Sequence, residues 1–271
     1  MRPLHPLISL ALSGLVVALA TSPPSVAAQQ WETNCDSHRG NGDRARHCEV
    51  KSLTLTPHAS GLRVKGGPNG GILVKGWDQN EIAVRVVVVG HARSDDRARA
   101  MVSQVQIEAD RGVLGADGPS TSRNEHWSAS YEIFVPRTHD LDLDTKNGGV
   151  HVTGVRGTME LATVNGGLHL SDLGGDVRAR GKNGGLHIEL SGSRWEGAGL
   201  DAETKNGGVT MAVPADYSAK LETGTTNGGL HIDFPVTVQG RVTKRLSVTL
   251  GDGGPPIRAI TTNGGVHIER R

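Results

Sequence analysis

Five histidines stand at one point of a recurring phrase. Asn-Gly-Gly occurs at Asn69, Asn147, Asn165, Asn183, Asn206, Asn227 and Asn263, and in five of these copies the fourth residue after the Asn is His: His151, His169, His187, His231 and His267. Imidazoles repeated at a fixed place could do two kinds of chemistry. Aligned in a file, they could ligate transition metals through neutral ring nitrogens. They could also form a pH-responsive surface, because protonating one ring opposes protonation of the next. The plainer account is a half-exposed flat ring duplicated with its unit and stacking on its copies. We prefer that account, since Thr210 takes the place of the histidine in one copy and no acid or cysteine recurs beside the file. No metal ligands are assigned.

A second candidate is a carboxylate pair. Asp142 and Glu160 hold equivalent places in consecutive copies, and on a stacked scaffold they would lie roughly 5 Å apart, the separation of a retaining glycosidase pair. A carbohydrate-active enzyme is therefore the rival class. Arg178 and Arg258 occupy the same column, however, and a solvated charged face accounts for the acids without catalysis. Other catalytic patterns fail: there is no Gly-x-Ser-x-Gly and no His-Glu-x-x-His, and Gly181-Lys182-Asn183 lacks the Ser/Thr and upstream Gly of a phosphate loop. Gly40-Asn41-Gly42 has no strand before it. Calcium-binding nonapeptide rolls need an Asp in each turn, and Asp172 and Asp176 do not recur. No catalytic residue and no cofactor is expected.

The elements that must position the histidines follow from the repeat itself. Successive spacings from Asn147 are 18, 18, 23, 21 and 36 residues, the last read as two steps with one unmarked rung. After five of the seven turns, apolar-His-apolar triplets such as Leu168-His169-Leu170 alternate as a strand does. Before each turn the sixth residue back is apolar in the last six copies (Leu141, Met159, Val177, Leu200, Leu221, Ile257), while the fifth is charged (Asp142, Glu160, Arg178, Asp201, Glu222, Arg258). One face is buried and the other meets water. A unit this short buries too few small apolar side chains to offset the ordering of its backbone, so it must stack on its neighbours. Stacking brings like residues about 4.8 Å apart and makes ladders of Asn and Thr. The expected fold is all-β, a parallel β-solenoid with Asn-Gly-Gly turns.

The stretch from 51 to 136 is less regular. Strands are expected at 52–56, 72–75, 82–89, 105–108 and 131–135. One short helix capped near Ser94 is expected from Ala98, Met101, Val102 and Val105. Asp233 to Gly254 interrupts the repeat and could make a binding edge or a plain hairpin.

Residues 7–20 are apolar and lead to Ser25-Val26-Ala27-Ala28, the pattern of a secretory signal peptide over 1–28. No second such stretch follows, so no integral membrane segment is expected in the mature chain. Cys35 and Cys48 are the only cysteines; in an oxidising compartment they should pair, and His38 and His47 beside them lack a metal half-site spacing. The 271 residues include 38 glycines and 12 prolines, with 29 Lys and Arg against 28 Asp and Glu. That near-neutral balance, with few aromatic residues, excludes nucleic acid as a partner. Trp31, Trp77, Trp127 and Trp195 are scattered, which favours packing over sugar stacking.

The segments Pro68-Asn69-Gly70-Gly71-Ile72 with Gly76-Trp77-Asp78, then Tyr131-Glu132-Ile133-Phe134-Val135-Pro136, then the Thr-x-Asn-Gly-Gly string resemble the bacterial putative adhesin family of exported β-strand-repeat proteins. The resemblance runs from about Cys48 to the C-terminus. It implies a solenoid-like fold and a cell-envelope setting, and it brings no catalytic residues. The organisation expected is a signal peptide over 1–28, a disulfide loop over 29–50, an N-terminal β segment with a helix over 51–136, continuous with the solenoid, and the repeat solenoid over 137–271. The function expected is a non-enzymatic scaffold or adhesion surface, exported to the periplasm, cell surface or exterior, whose partner is a polymer of the cell envelope or of a host surface.

Overall fold

A computed structural model describes residues 31–35, 45–234 and 244–271. The signal peptide expected at 1–28, His38, Gly40-Asn41-Gly42 and the 235–243 part of the late interruption lie outside the described residues. Glu32 to Arg271 form one compact unit.

The architecture is all-β and solenoid-like, with two ten-stranded sheets that are mostly parallel. One sheet, here the histidine sheet, runs in the order Ala45–Leu55, Ile82–Ala92, His126–Pro136, Ile72–Trp77, Val150–Thr153, Leu168–Ser171, Leu186–Glu189, Val209–Val213, Val266–Arg270, Leu230–Ile232. The other, the charged sheet, runs Arg245–Leu250, Ala219–Asn227, Pro256–Asn263, Gly199–Asn206, Gly174–Asn183, Arg156–Asn165, Leu141–Asn147, Leu62–Lys65, Val113–Asp117, Gln106–Asp110. In the six units from Asn147 onward the chain leaves the charged sheet at the Asn, passes two glycines, and enters the histidine sheet. Like residues face one another in exact step: Glu160 pairs with Asp142 and with Arg178, and Asn165 with Asn147 and Asn183.

Alternation fixes which side chains go inside. Leu141, Leu143, Met159, Leu161, Val177, Ala179, Leu200 and Ala202 from the charged sheet, with Val150, Val152, Leu168, Leu170, Leu186 and Ile188 from the other, form one buried cluster. Thr145, Thr163, Thr204 and Thr261 are buried with them. Their hydroxyls are satisfied by donating to the carbonyl of the first glycine in the preceding rung: Gly70, Gly148, Gly184 and Gly207, at 2.7–2.8 Å.

The first glycine of each junction is dictated by the closeness of the rungs. A Cβ at Gly166 or Gly184 would lie 2.1 Å from the carbonyl oxygen of the equivalent glycine one rung away. No side chain fits there. The second glycine answers a different need. A Cβ at Gly149 would lie 3.1 Å from Nε2 of His151, because the imidazole folds back over the junction.

Two features depart from the sequence reading. The 36-residue step from Asn227 to Asn263 shows no unmarked rung among its described residues. Instead Arg245–Leu250 turns back antiparallel along Ala219–Asn227, and Pro256–Asn263 then inserts between the Asn206 and Asn227 strands, pairing in parallel with both. The stack order is therefore 206, 263, 227. The second departure is at the other end, where Leu62–Lys65 is already a rung: Leu62 pairs with Leu141 and Val64 with Leu143.

Beyond that rung, Ala45–Leu55, Ile82–Ala92 and His126–Pro136 extend the histidine sheet as an antiparallel block. Ile82–Ala92 is apolar on both faces because the helix Asp95–Ser103 covers it, with Ala98, Met101 and Ala92 in a small cluster of their own. Ser94 caps that helix, its side chain accepting from the backbone N–H of Arg97 at 3.3 Å.

Candidate functional site

The outward histidines form a real file on the histidine sheet. His151 and His169 stack with ring centroids 4.2 Å apart and planes 17° from parallel, and His187 follows at 5.5 Å with a tilt. Thr210 comes next in register. Beyond it His267 and His231 lie 5.1 Å apart. Burial of the stacked faces, reinforced by the neighbouring ring, lowers the pKa of His151 and His169 below 6.5.

Acids do recur beside this file, contrary to the sequence reading. They stand two residues after the histidine, on the same face of the strand. His187 Nε2 lies 3.4 Å from Glu189, which Arg271 also reaches at 3.4 Å. At the last two rungs Asp233 bridges both rings, with Oδ1 2.7 Å from His231 Nε2 and Oδ2 2.8 Å from His267 Nε2. The signal was the spacing His-x-Asp/Glu at 231, 187 and 267, which alternation places on one face.

On the charged sheet the outward acids are engaged by arginines. Asp142 and Glu160 are adjacent in register, but Arg63 holds Asp142 at 3.2 Å and Arg178 holds Glu160 at 2.8 Å. Arg258 spans Asp201 at 2.5 Å and Glu222 at 3.8 Å. A concavity of about 490 Å³ borders Asp142 and Glu160. A broader one, about 740 Å³, lies over the same sheet near the Asn row. Lys65, Lys146, Lys182 and Arg180 surround it with Asp144 as the one acid, over a floor that includes Ala162 and the exposed Val164.

The seven asparagines hydrogen-bond in one unbroken row. Asn147 donates to Asn69, Asn165 to Asn147, Asn183 to Asn165, Asn206 to Asn183, Asn263 to Asn206 and Asn227 to Asn263, all at 2.7–3.1 Å. The indole N–H groups are spent on backbone: Trp77 on Glu81, Trp127 on Pro119 and Trp195 on Gly175. Cys35 and Cys48 form a disulfide. No helix among the described residues is long and apolar enough to cross a membrane.

Sequence reasoning passed over Glu132. Its side chain is fully buried in the histidine sheet, where its carboxylate accepts from the backbone N–H of Glu32 and Thr33 and from the Thr33 hydroxyl at 2.8–2.9 Å, with Lys75 Nζ at 3.3 Å.

Comparison with solved structures finds chains of low identity. A putative cell adhesion protein from Clostridium sporogenes ATCC 15579 is 11% identical, with 82% of this chain and 100% of that one covered and a TM-score of 0.46. A putative adhesin from Bacteroides fragilis NCTC 9343 is 10% identical, with 83% and 97% covered and a TM-score of 0.34. A putative lipid binding protein from Parabacteroides distasonis ATCC 8503 is 8% identical, with 83% and 96% covered and a TM-score of 0.32. Among curated proteins none matches. The family described as Toastrack DUF4097 matches residues 53–269. With its repeat, its two sheets and that match over most of its length, the chain belongs to the Toastrack DUF4097 family.

Proposed function

We propose that this protein is a non-enzymatic binding scaffold of the cell envelope, an adhesion surface built on a β-solenoid whose corners are the Asn-Gly-Gly tripeptides. The single observation that carries this reading is the unbroken Asn row. It holds successive rungs at one spacing and so presents each outward column as a rigid, periodic surface, suited to a polymer that is itself periodic. The signal peptide at 1–28 and the Cys35–Cys48 disulfide support export to an oxidising compartment: periplasm, cell surface or exterior. The loop over 29–50 and the segment over 51–136 then form one end of the solenoid that continues to 271.

The binding face is the concavity ringed by Lys65, Lys146, Lys182 and Arg180. Three lysines around one acid, with Arg180 already paired to Asp201, favour an anionic chain, and Val164 and Ala162 give it an apolar floor. The carbohydrate-active alternative has less support, because Asp142 and Glu160 each serve an arginine partner.

The test is retention of the mature chain on envelope polymers. Anionic polymers should retain it more than neutral ones, without release of soluble fragments, and a Lys65→Glu/Lys146→Glu/Lys182→Glu variant should elute early. Fragment release, or equal retention of the variant, overturns the reading.

A further inference from the structure

We propose that His231, Asp233 and His267 form a site for one divalent transition-metal ion of the Zn²⁺, Ni²⁺ or Cu²⁺ class. The two imidazole nitrogens and the carboxylate are gathered together: the three ligand atoms lie within 4.8 Å of one another. Metal bonds of about 2.0–2.2 Å to N and O place such atoms roughly 3.3 Å apart. Asp233 now meets the two rings through different oxygens, at 2.7 and 2.8 Å, so these contacts open and the rings turn for both Nε2 atoms and the carboxylate to face a single ion. Two nitrogens and one oxygen suit borderline cations and are a poor set for Ca²⁺ or Mg²⁺, which take oxygen ligands. Each Nε2 must offer its lone pair to the metal, so the proton it holds toward Asp233 moves to Nδ1 or leaves to water.

What sets this point apart from the rest of the file is the bridging carboxylate. His151 and His169 stack on each other with Val152-Thr153 and Leu170-Ser171 following, and the Glu189 beside His187 is shared with Arg271. The site also has a structural purpose. Among the described residues Leu230–Ile232 is the edge strand of its sheet, three residues long and paired with Val266–Arg270 alone. A metal held by His231 on the edge and His267 on its neighbour clips that edge down. The three side chains are 38–70% exposed, which leaves the remaining coordination positions to water or to a donor from a partner.

The test uses the mature chain without a histidine tag, disulfide intact and stripped with chelator, titrated calorimetrically with ZnCl₂, NiCl₂ and CaCl₂. One Zn²⁺ per chain with a dissociation constant on the order of micromolar is expected, with no Ca²⁺ binding and a Zn²⁺-dependent rise in melting temperature. His231→Asn and His267→Asn should each weaken Zn²⁺ at least about tenfold, and His151→Asn should leave it unchanged. These residues are exposed, so the apo melting temperature verifies that each variant folds. No Zn²⁺ binding, or binding insensitive to both key substitutions, overturns the proposal. The inference does not depend on adhesion, and polymer retention measured in chelator separates the two.

Discussion

The buried carboxylate of Glu132 takes both the backbone N–H and the hydroxyl of Thr33, each at 2.8 Å, across 99 residues of sequence. The segment at Glu32 and Thr33 is thereby tied to the sheet by a charge. Burial opposes that charge most strongly, yet the donors from Glu32 and Thr33 and the Lys75 ammonium outweigh it and hold the carboxyl below its ordinary 4.5. A carboxyl depressed in the folded state stabilises the fold above about pH 4.5, and that contribution disappears as pH falls through the depressed value. Glu132→Gln should cost about 1–3 kcal/mol at neutral pH by denaturant melts, and the variant should lose less stability on acidification than the parent.

The two glycines of a junction should differ in tolerance where their surroundings differ. Gly184→Ala drives a Cβ to 2.1 Å from the Gly166 carbonyl, at φ 153°, and should destabilise by about 3 kcal/mol or leave the chain insoluble. At the Asn227 rung no described residue lies within 4 Å of a Cβ on Gly229, so Gly229→Ala should melt within about 0.5 kcal/mol of the parent.

Asn183 both donates to Asn165 and accepts from Asn206. Asn183→Ala removes two bonds at the centre of the row and should cost about 1–2 kcal/mol. Asn227 donates to Asn263 at the end of the row, and its replacement by Ala should cost roughly half as much.

His139, His151 and His169 all have pKa values lowered from 6.5, mainly by burial. An unfolded chain takes up protons near that value while the folded one resists, so stability should fall as pH drops below about 6.5. His151→Thr and His169→Thr copy the residue found naturally at Thr210. Melting temperatures of the double variant should depend less on pH between neutrality and mild acid.

The repeat was legible because its period is carried by Asn, Gly and Thr at fixed places, and each of these now has a physical reason. The all-β class, the charged column and the capped helix near Ser94 could be read for the same reason: alternation and capping are local. The rung at Leu62–Lys65 escaped because Leu62 stands one residue farther from Asn69 than Leu141 stands from Asn147. That extra residue shifts the apolar pattern out of phase. The slot taken by Pro256–Asn263 was invisible for a deeper reason. Every rung offers the same register, so nothing local says which neighbour a rung will choose. His231, Asp233 and His267 come together only through that choice, although their spacing within each strand was in plain view.

Because Pro256–Asn263 lies between strands made earlier, the order of synthesis and the order of assembly part company in the final coils. A nascent chain that has reached Asn227 cannot seat that segment in its finished place, since the piece that must sit beneath it has not yet been made. The stack is thus closed by Pro256–Asn263, as an arch is by its keystone, and a chain cut short after residue 255 would present two unsatisfied edges where the intact one has a continuous sheet.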